Sequence, residues 1–426
     1  MAVFTMGQAA TDKLFLEFIL PGLHEEIYEN SKLYGRFKND ISHVLGKYAV
    51  FKCLTKAPTS ARPSSSTTLP TAKQGTYDEF VIYMKRGMYA QLQFDGLALA
   101  CSKGKGAVMD ILKAELQGIT TYIANKLNRL FWGDGSGRLA QLSAAVSNST
   151  TVTIDGPKFG QDSNDYTNPS NYLDEGQVVD IYDGSGNLEA EGVEISSISK
   201  GGSGTDTLTM AEAITASDDS YIFDHDTYAS SQAAGTGVPM GLDGIISTTN
   251  PYTGITQTNF QGVSRSTYAW ARAQSKSCSN LPLSNRKMLE VIQDCERYGR
   301  IKAIFTNQKI WNAYFEILEA DKTLPNEKAF WGGLEGISFY GGRAGKIPVL
   351  YDTDCPDNTV YFLDDSVLYT FSPVPNGMTW IPGDNGILSR VQGKDEWVAS
   401  LVWYYNFGCN KPQALGRLTS VKHAAA

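Results

Sequence analysis

The stretch that most constrains this chain runs from Gly104 to Gly137, GKGAVMDILKAELQGITTYIANKLNRLFWGDGSG. Val108, Leu112, Leu116, Ile119, Ile123, Leu127 and Leu130 recur at gaps of three and four, so they form one stripe on a helix, with Ile111 and Phe131 at its margins. Asp110, Gln117, Thr121, Asn125 and Asn128 fall on the opposite face. No proline interrupts the run, and Gly133, Gly135 and Gly137 end it where the backbone turns cheaply only without a side chain. At 1.5 Å per residue such a helix is about 40 Å long, roughly twice the globular average, and must cross most of one domain.

Around this helix the chain divides. Residues 1–45 read as two short helices, with Leu14, Phe15, Phe18 and Ile19 before Pro21 and Leu23, Ile27, Leu33 and Tyr34 after it. They are too few to enclose a core and must lie on something else. Two extended runs follow, 47–55 and 77–94. The second alternates Met88, Ala90, Leu92 and Phe94 inward against Tyr89, Gln91, Gln93 and Asp95, with Gly87 read as a bend. Between them, residues 56–76 hold three prolines, nine Ser and Thr, and one large apolar residue, Leu69. The only charges there are basic: Lys56, Arg62 and Lys73. A structureless loop of that length is uncommon inside a compact domain, and it reads as the tip of a hairpin arm that becomes ordered against a neighbouring subunit.

Past residue 143 the character changes. Short runs at 150–154, 176–183, 190–199, 205–210 and 219–223 are separated by glycine turns, the signature of a small barrel or sandwich inserted into the main domain. From Asp155 to Asp226 sixteen acids face only Lys158 and Lys200, a local charge of −14; with the whole chain at −8, the remainder carries +6. Such a division suits one surface facing solvent and another facing an anionic partner. From Val238 strands and helices mix without regular alternation: a helix after Ser284, strand IKAIFTN into helix NQKIWNAYFEIL with Trp311, Phe315 and Leu318 on one face, then strands separated by Gly-Gly and Pro-Asp-Asn turns. The end reads as three strands broken at Gly393 and at 410–412. The class is α+β.

Composition excludes wholesale disorder: 42% of residues are hydrophobic and mean hydropathy is −0.24. No apolar run is long enough to span a membrane, and the first 22 residues lack a basic leader, so a cytoplasmic origin is expected. Six scattered cysteines without a CxxC pair read as buried free thiols. No catalytic motif emerges. The Lys103–Lys105 region lacks Walker spacing, no serine sits in a GxSxG elbow, and four histidines form no pair. Asp218, Asp219, Asp224, His225 and Asp226 crowd together as for a hard cation, but a solvated hairpin end explains them better. Asp352, Asp354 and Asp357 read as turn formers. Arg286, Lys287, Arg297, Arg300 and Lys302 lack the interleaved aromatics of a single-strand reader. No catalytic, cofactor or metal residue is assigned, and an enzyme is not expected.

The order of features resembles something specific. An N-terminal arm, a long hairpin with a polar tip, a helix ending LFWGDGSG, then PMGLDGI, IFTNQKIW, GKIPVLYDTDCPDNTVYFLD and NKPQALGRL are similar to the major capsid proteins of tailed double-stranded DNA phages. The likeness covers nearly all of the chain outside 143–226. It implies the HK-ninety-seven-like fold: residues 1–45 an N-terminal arm, 46–96 the extended loop, 97–142 a peripheral domain with its spine helix, 227–380 mainly an axial domain, and 381–426 strands returning to one or other sheet. Residues 143–226 are then an inserted acidic β-domain. The resemblance further implies hexamers and pentamers in an icosahedral shell around DNA, assembled in a host cytoplasm. Separate scaffolding, portal and decoration proteins would be its partners, with inter-subunit contacts through Lys56, Arg62, Leu69 and Lys73. It departs from the type member, whose long N-terminal scaffolding region is removed by a protease. Lys73 lies in a loop suited to a covalent cross-link, but nothing identifies its asparagine partner, so no such bond is expected. An encapsulin-like cargo shell is the alternative, and a carbohydrate-active enzyme the remote one.

Overall fold

The computed structural model describes residues 33–56, 60–61, 63, 69, 71–95, 107–156, 169–201, 205–229, 236–247, 260–320, 338–341, 343, 345–374, 378–382 and 387–422. The long helix, α1, spans Ala107–Trp132. Its second half is buried on more than the expected stripe. Ile123 and Leu127 are buried as anticipated, but so are Lys126, Asn128, Phe131 and Trp132. Asn128, assigned to the polar face, is enclosed because other parts of the chain close over that face.

Among the described residues three β bodies meet the end of the helix, and a fourth sheet of three short strands, Val44–Leu45, Tyr48–Lys56 and Thr76–Tyr83, forms an arm. The first sheet is organised by one long strand, Glu396–Cys409, which pairs with Lys85–Asp95 on one edge and Leu368–Phe371 on the other, with short strands Thr379–Trp380 and Leu388–Arg390 also bonded to it. Its apolar face meets the helix end through rings: Phe131 lies 4.5 Å from Phe407, and Tyr34 lies 5.2 Å from Phe131 and edge-on to Trp403 at 5.8 Å. Residues 33–45 are therefore not the end of a helix pair. A 3-10 turn at Tyr34–Arg36 leads to strand Lys38–Asp40, which runs parallel to Leu368–Phe371. Residues 1–32 of the expected arm lie outside the described residues.

The second sheet has six strands in the order Gln274–Pro282, Gly416–Lys422, Val360–Leu363, Ala303–Thr306, Lys346–Tyr351, Ser338–Tyr340. After α2, a single turn at Leu242–Ile245, helices α3 (Asn285–Glu296) and α4 (Gln308–Ala320) belong to this body. Met288, Val291, Ile292 and Cys295 of α3 are buried, and Leu289 is half-buried beside them. In α4 the buried residues are Ile310 and Tyr314, while Trp311 and Phe315 stack at the margin, so the inward face is rotated from the one expected. Before α3 the chain makes a 3-10 turn at Ala269–Ala271.

The third body is a closed antiparallel barrel of six strands: Asp206–Ala216, Val146–Gly156, Arg138–Leu142, Tyr221–Asp224, Val178–Tyr182 and Leu188–Lys200. The five strands expected from short runs between glycine turns are all present. The sixth, Arg138–Leu142, precedes residue 143, where composition changes, because its side chains are buried throughout and carry no alternation to read. Val152, Ile154, Val179, Ile181, Ile195, Leu208 and Ile222 fill the interior. Closure leaves no free edge.

The single run expected at 77–94 is two strands. Thr76–Tyr83 pairs with Tyr48–Lys56 to form the arm, while Lys85–Asp95 pairs with Glu396–Cys409. The chain changes sheets at Met84. Gly87, read as a bend, sits with φ +65° in a bulge of the second strand, where a Cβ would lie 2.2 Å from the carbonyl oxygen of Trp403.

Candidate assembly surface and its buried anchor

The end of α1 is locked by backbone approach. A Cβ on Gly241 would stand 2.2 Å from the Gly133 carbonyl oxygen and 2.5 Å from that of Leu130; one on Gly244 would stand 2.5 Å from the Asp134 carbonyl. Only glycine permits this fit. The Gly244 N–H points to the Gly133 carbonyl at 3.5 Å, so α2 lies against carbonyls at the end of α1 that no intrahelical donor reaches. One residue earlier, Trp132 is fully buried against Tyr361 and Phe305.

Polar groups complete the anchor. Asp243 on α2 accepts from the Tyr361 hydroxyl at 2.7 Å and from the Arg417 guanidinium at 2.9 Å, all three largely or wholly buried. Burial and the neighbouring Asp243 carboxylate push the Tyr361 phenol well above its usual range. Arg265, fully buried, donates to the carbonyls of Gly244, Ile245 and Ala271 and lies 3.7 Å over the Phe260 ring. Asn406 accepts from the Met240 N–H and donates to the Tyr83 carbonyl at 2.7 Å. The stretches LFWGDGSG, PMGLDGI, IFTN, VYFL and GRL, separate in sequence, thus meet at one buried point.

The arm grows from this anchor. At its root, Val81 N–H donates to the Gln261 carbonyl at 2.8 Å, and the buried Phe80 ring packs on Phe260 and Trp270. The face opposite Phe80 exposes apolar groups along the arm: Tyr48 and Tyr83, paired at its root end, are open, Tyr77 toward the tip is 63% exposed, and Leu45 on the neighbouring short strand Val44–Leu45 is 62% exposed. Lys52 and Glu79 face each other there at 4.0 Å. Of the residues expected to make contacts, Lys56 closes its strand opposite Thr76, Leu69 is 85% exposed and Lys73 is exposed; Arg62 lies outside the described residues. The alternation at 48–56 and 76–83 already held the signal for the exposed tyrosines.

A second polar joint holds the barrel. Lys126 pairs with Asp224 at 2.9 Å, Arg129 grips Asp174 with two bonds at 2.7 and 3.2 Å, and Asn128 donates to Asp352 and Asp354 at 3.0 and 2.6 Å. The Tyr172 hydroxyl of the barrel donates to the Asp354 carbonyl at 2.8 Å. Asp352 does form the expected turn, accepting from the Asp354 N–H, and the Asp357 carboxylate accepts from Asn307 beside the start of α4. That turn is buried at a domain contact, which its composition did not announce.

The acidic group at the barrel end separates. Asp224 serves Lys126 and Gln177, Asp219 accepts from Gln141, and His225 binds Asp180 at 2.8 Å. Asp180, His225 and Asp226 have ligand atoms within 4.8 Å of one another, but Asp180 already accepts from the N–H groups of Gly192 and Asp226. Cys278, Cys295, Cys355 and Cys409 are buried and free. Residues 101–106, with Cys101, Lys103 and Lys105, lie outside the described residues. Among the described residues no helix is long and apolar enough to cross a membrane.

No protein-family model matches the sequence. Nor does any curated protein. Solved structures do match. The capsid asymmetric unit of cyanophage A-1(L) superposes over 97% of this chain and 96% of its own, at a TM-score of 0.50 and 14% identity. A chain in the capsid of a native GTA particle covers 91% of this chain and 89% of its own, at 0.44 and 9%. The SrpI encapsulin of Synechococcus elongatus PCC 7942 covers 36% of this chain and 54% of its own, at 0.28 and 14%. The chain has the fold of a phage capsid subunit, an α+β body with a long helix and an inserted β-barrel.

Proposed function

We propose that this chain is the major capsid protein of a tailed phage, building an icosahedral head around double-stranded DNA. The observation that carries the reading is the end-to-end superposition on a cyanophage capsid chain, which accounts for the barrel as well as the body. That coverage favours the phage head over an encapsulin-like compartment. The role is mechanical: copies interlock as hexamers and pentamers, the N-terminal arm before residue 33 and the hairpin of 48–83 reach neighbours, 97–142 and 227–380 form the peripheral and axial parts, and 381–426 returns between them. That hairpin lies across an adjacent subunit, burying Leu69 and its tyrosines, while Lys56, Arg62 and Lys73 meet acidic groups. Each exposed pair contributes at most about 1 kcal/mol, so strength comes from area and repetition. The −14 barrel region faces outward and the +6 remainder faces packaged DNA by bulk electrostatics. Scaffolding, portal and decoration proteins are separate chains, and assembly precedes residence in the virion.

Electron microscopy of the purified full chain tests this directly. Closed shells are expected, with nucleic acid inside; shells holding only cargo protein would favour the compartment, and a solitary globule by size-exclusion chromatography would overturn both. Deleting residues 58–74 should leave a folded subunit that no longer makes shells. Normal particles from that variant would remove the arm from the mechanism.

A further inference from the structure

The joint between α1 and the barrel contains a charge arrangement that the capsid reading does not use. Asn128 offers one amide group to two carboxylates, Asp352 and Asp354, on the same turn. A third carboxylate, Asp174 of the barrel, belongs to the same cluster, and one guanidinium, Arg129, is already committed to it through two bonds. Asp352, Arg129 and Asn128 are buried or largely so, and the barrel's Tyr172 hydroxyl caps the Asp354 backbone. Three bodies therefore meet where carboxylates outnumber the cations that face them: Asp352 and Asp354 from the turn of the second sheet, Asn128 and Arg129 from the helix, Asp174 and Tyr172 from the barrel. Lys126 at the rim is taken by Asp224.

We infer that this joint is a proton-responsive seat for the barrel, holding it to the body more tightly when Asp354 is protonated than when it is ionised. Geometry supplies the reason. An ionised Asp354 is withdrawn from water and placed beside Asp352 and Asp174, while its neutral form removes that repulsion and leaves the Asn128 and Tyr172 bonds available. Burial first, opposed by the Asn128 bond and reinforced by the Asp352 charge, raises the Asp354 carboxyl from 3.8 to about 6. Because the folded value lies above the unfolded one, this stabilisation is fully present below about pH 4 and is lost as pH rises through about 6.

The test is urea unfolding of the full chain at pH 5 and pH 8, for the natural protein and for Asp354→Asn. The amide mimics the protonated carboxyl and cannot titrate. The ratio of the variant's folding equilibrium to the natural protein's should rise about tenfold from pH 5 to pH 8. A merely structural role would shift both values equally, and a ratio that does not change with pH overturns the inference. Asp352→Asn gives a second reading should the first variant fail to fold. It removes a neighbouring charge and leaves Asp354 in place, so its ratio should move in the same direction by less, and a flat ratio there also overturns the inference. The measurement concerns the joint alone and leaves the shell reading untouched whichever way it falls.

Discussion

The barrel and the arm are both antiparallel β structures with alternating sequences, yet they end in opposite conditions. In the barrel every strand has two partners, and its apolar residues point into a sealed interior. The arm has three strands in a row, Val44–Leu45, Tyr48–Lys56 and Thr76–Tyr83, with one face buried at Phe51, Phe80 and Ile82 and the other exposing its tyrosines. Alternation alone does not decide between them. What decides is whether the chain supplies enough strands to close the sheet. The barrel supplies its own complement, and the arm leaves its complement to be found elsewhere.

Three substitutions probe that contrast, in descending order of effect. Ile222→Asp places a charge in the closed interior beside Ile181, its cross-strand partner. It should cost on the order of 4 kcal/mol or more and unfold the barrel, with loss of amide-exchange protection there and retained protection in the sheet of 303–306 and 360–363. Unfolding of the whole chain instead would show that barrel and body are one cooperative unit. Phe80→Ala empties the packing at the arm's root and should cost about 3–5 kcal/mol, read as a lower unfolding midpoint. A shift below about 1 kcal/mol would mean the root, like the tip, is not fixed by its own chain. The double change Leu69→Ser and Tyr77→Ser should alter subunit stability by no more than about 0.5 kcal/mol while sharply reducing the yield of shells. A large loss of subunit stability would place those side chains in an intramolecular contact and erase the contrast.

Much of this was legible in the residues. The second half of the α1 stripe, the five short barrel runs between glycine turns and the three C-terminal strands follow from local pattern, because each is a local consequence of which faces are buried and where the chain turns. The failures share a cause. Arg138–Leu142 is buried on both faces and shows no period, and Asn128 looks solvated until the barrel and the 352–357 turn cover it. Phe80 and Met88 read as one strand because nothing local reveals that the chain changes sheets at Met84. The anchor was the hardest to foresee. Asp243 and Arg417 meet from opposite ends of the main domain, and Gly241 and Gly244 are explained only by the carbonyls of α1 that press on them. The order of these stretches could be recognised, but the reason they accompany one another lay in three dimensions.

The strand Glu396–Cys409 has a further consequence. It is the centre of the first sheet, and after one turn of 3-10 helix the chain enters the interior of the second sheet as Gly416–Lys422. A force drawing the two sheets apart along this connection pulls each strand lengthwise against its neighbours. Ladder bonds run across the strands, so such a pull loads many of them in shear at once instead of peeling them singly. Tension that draws the two sheets apart would then be resisted along this one line of backbone.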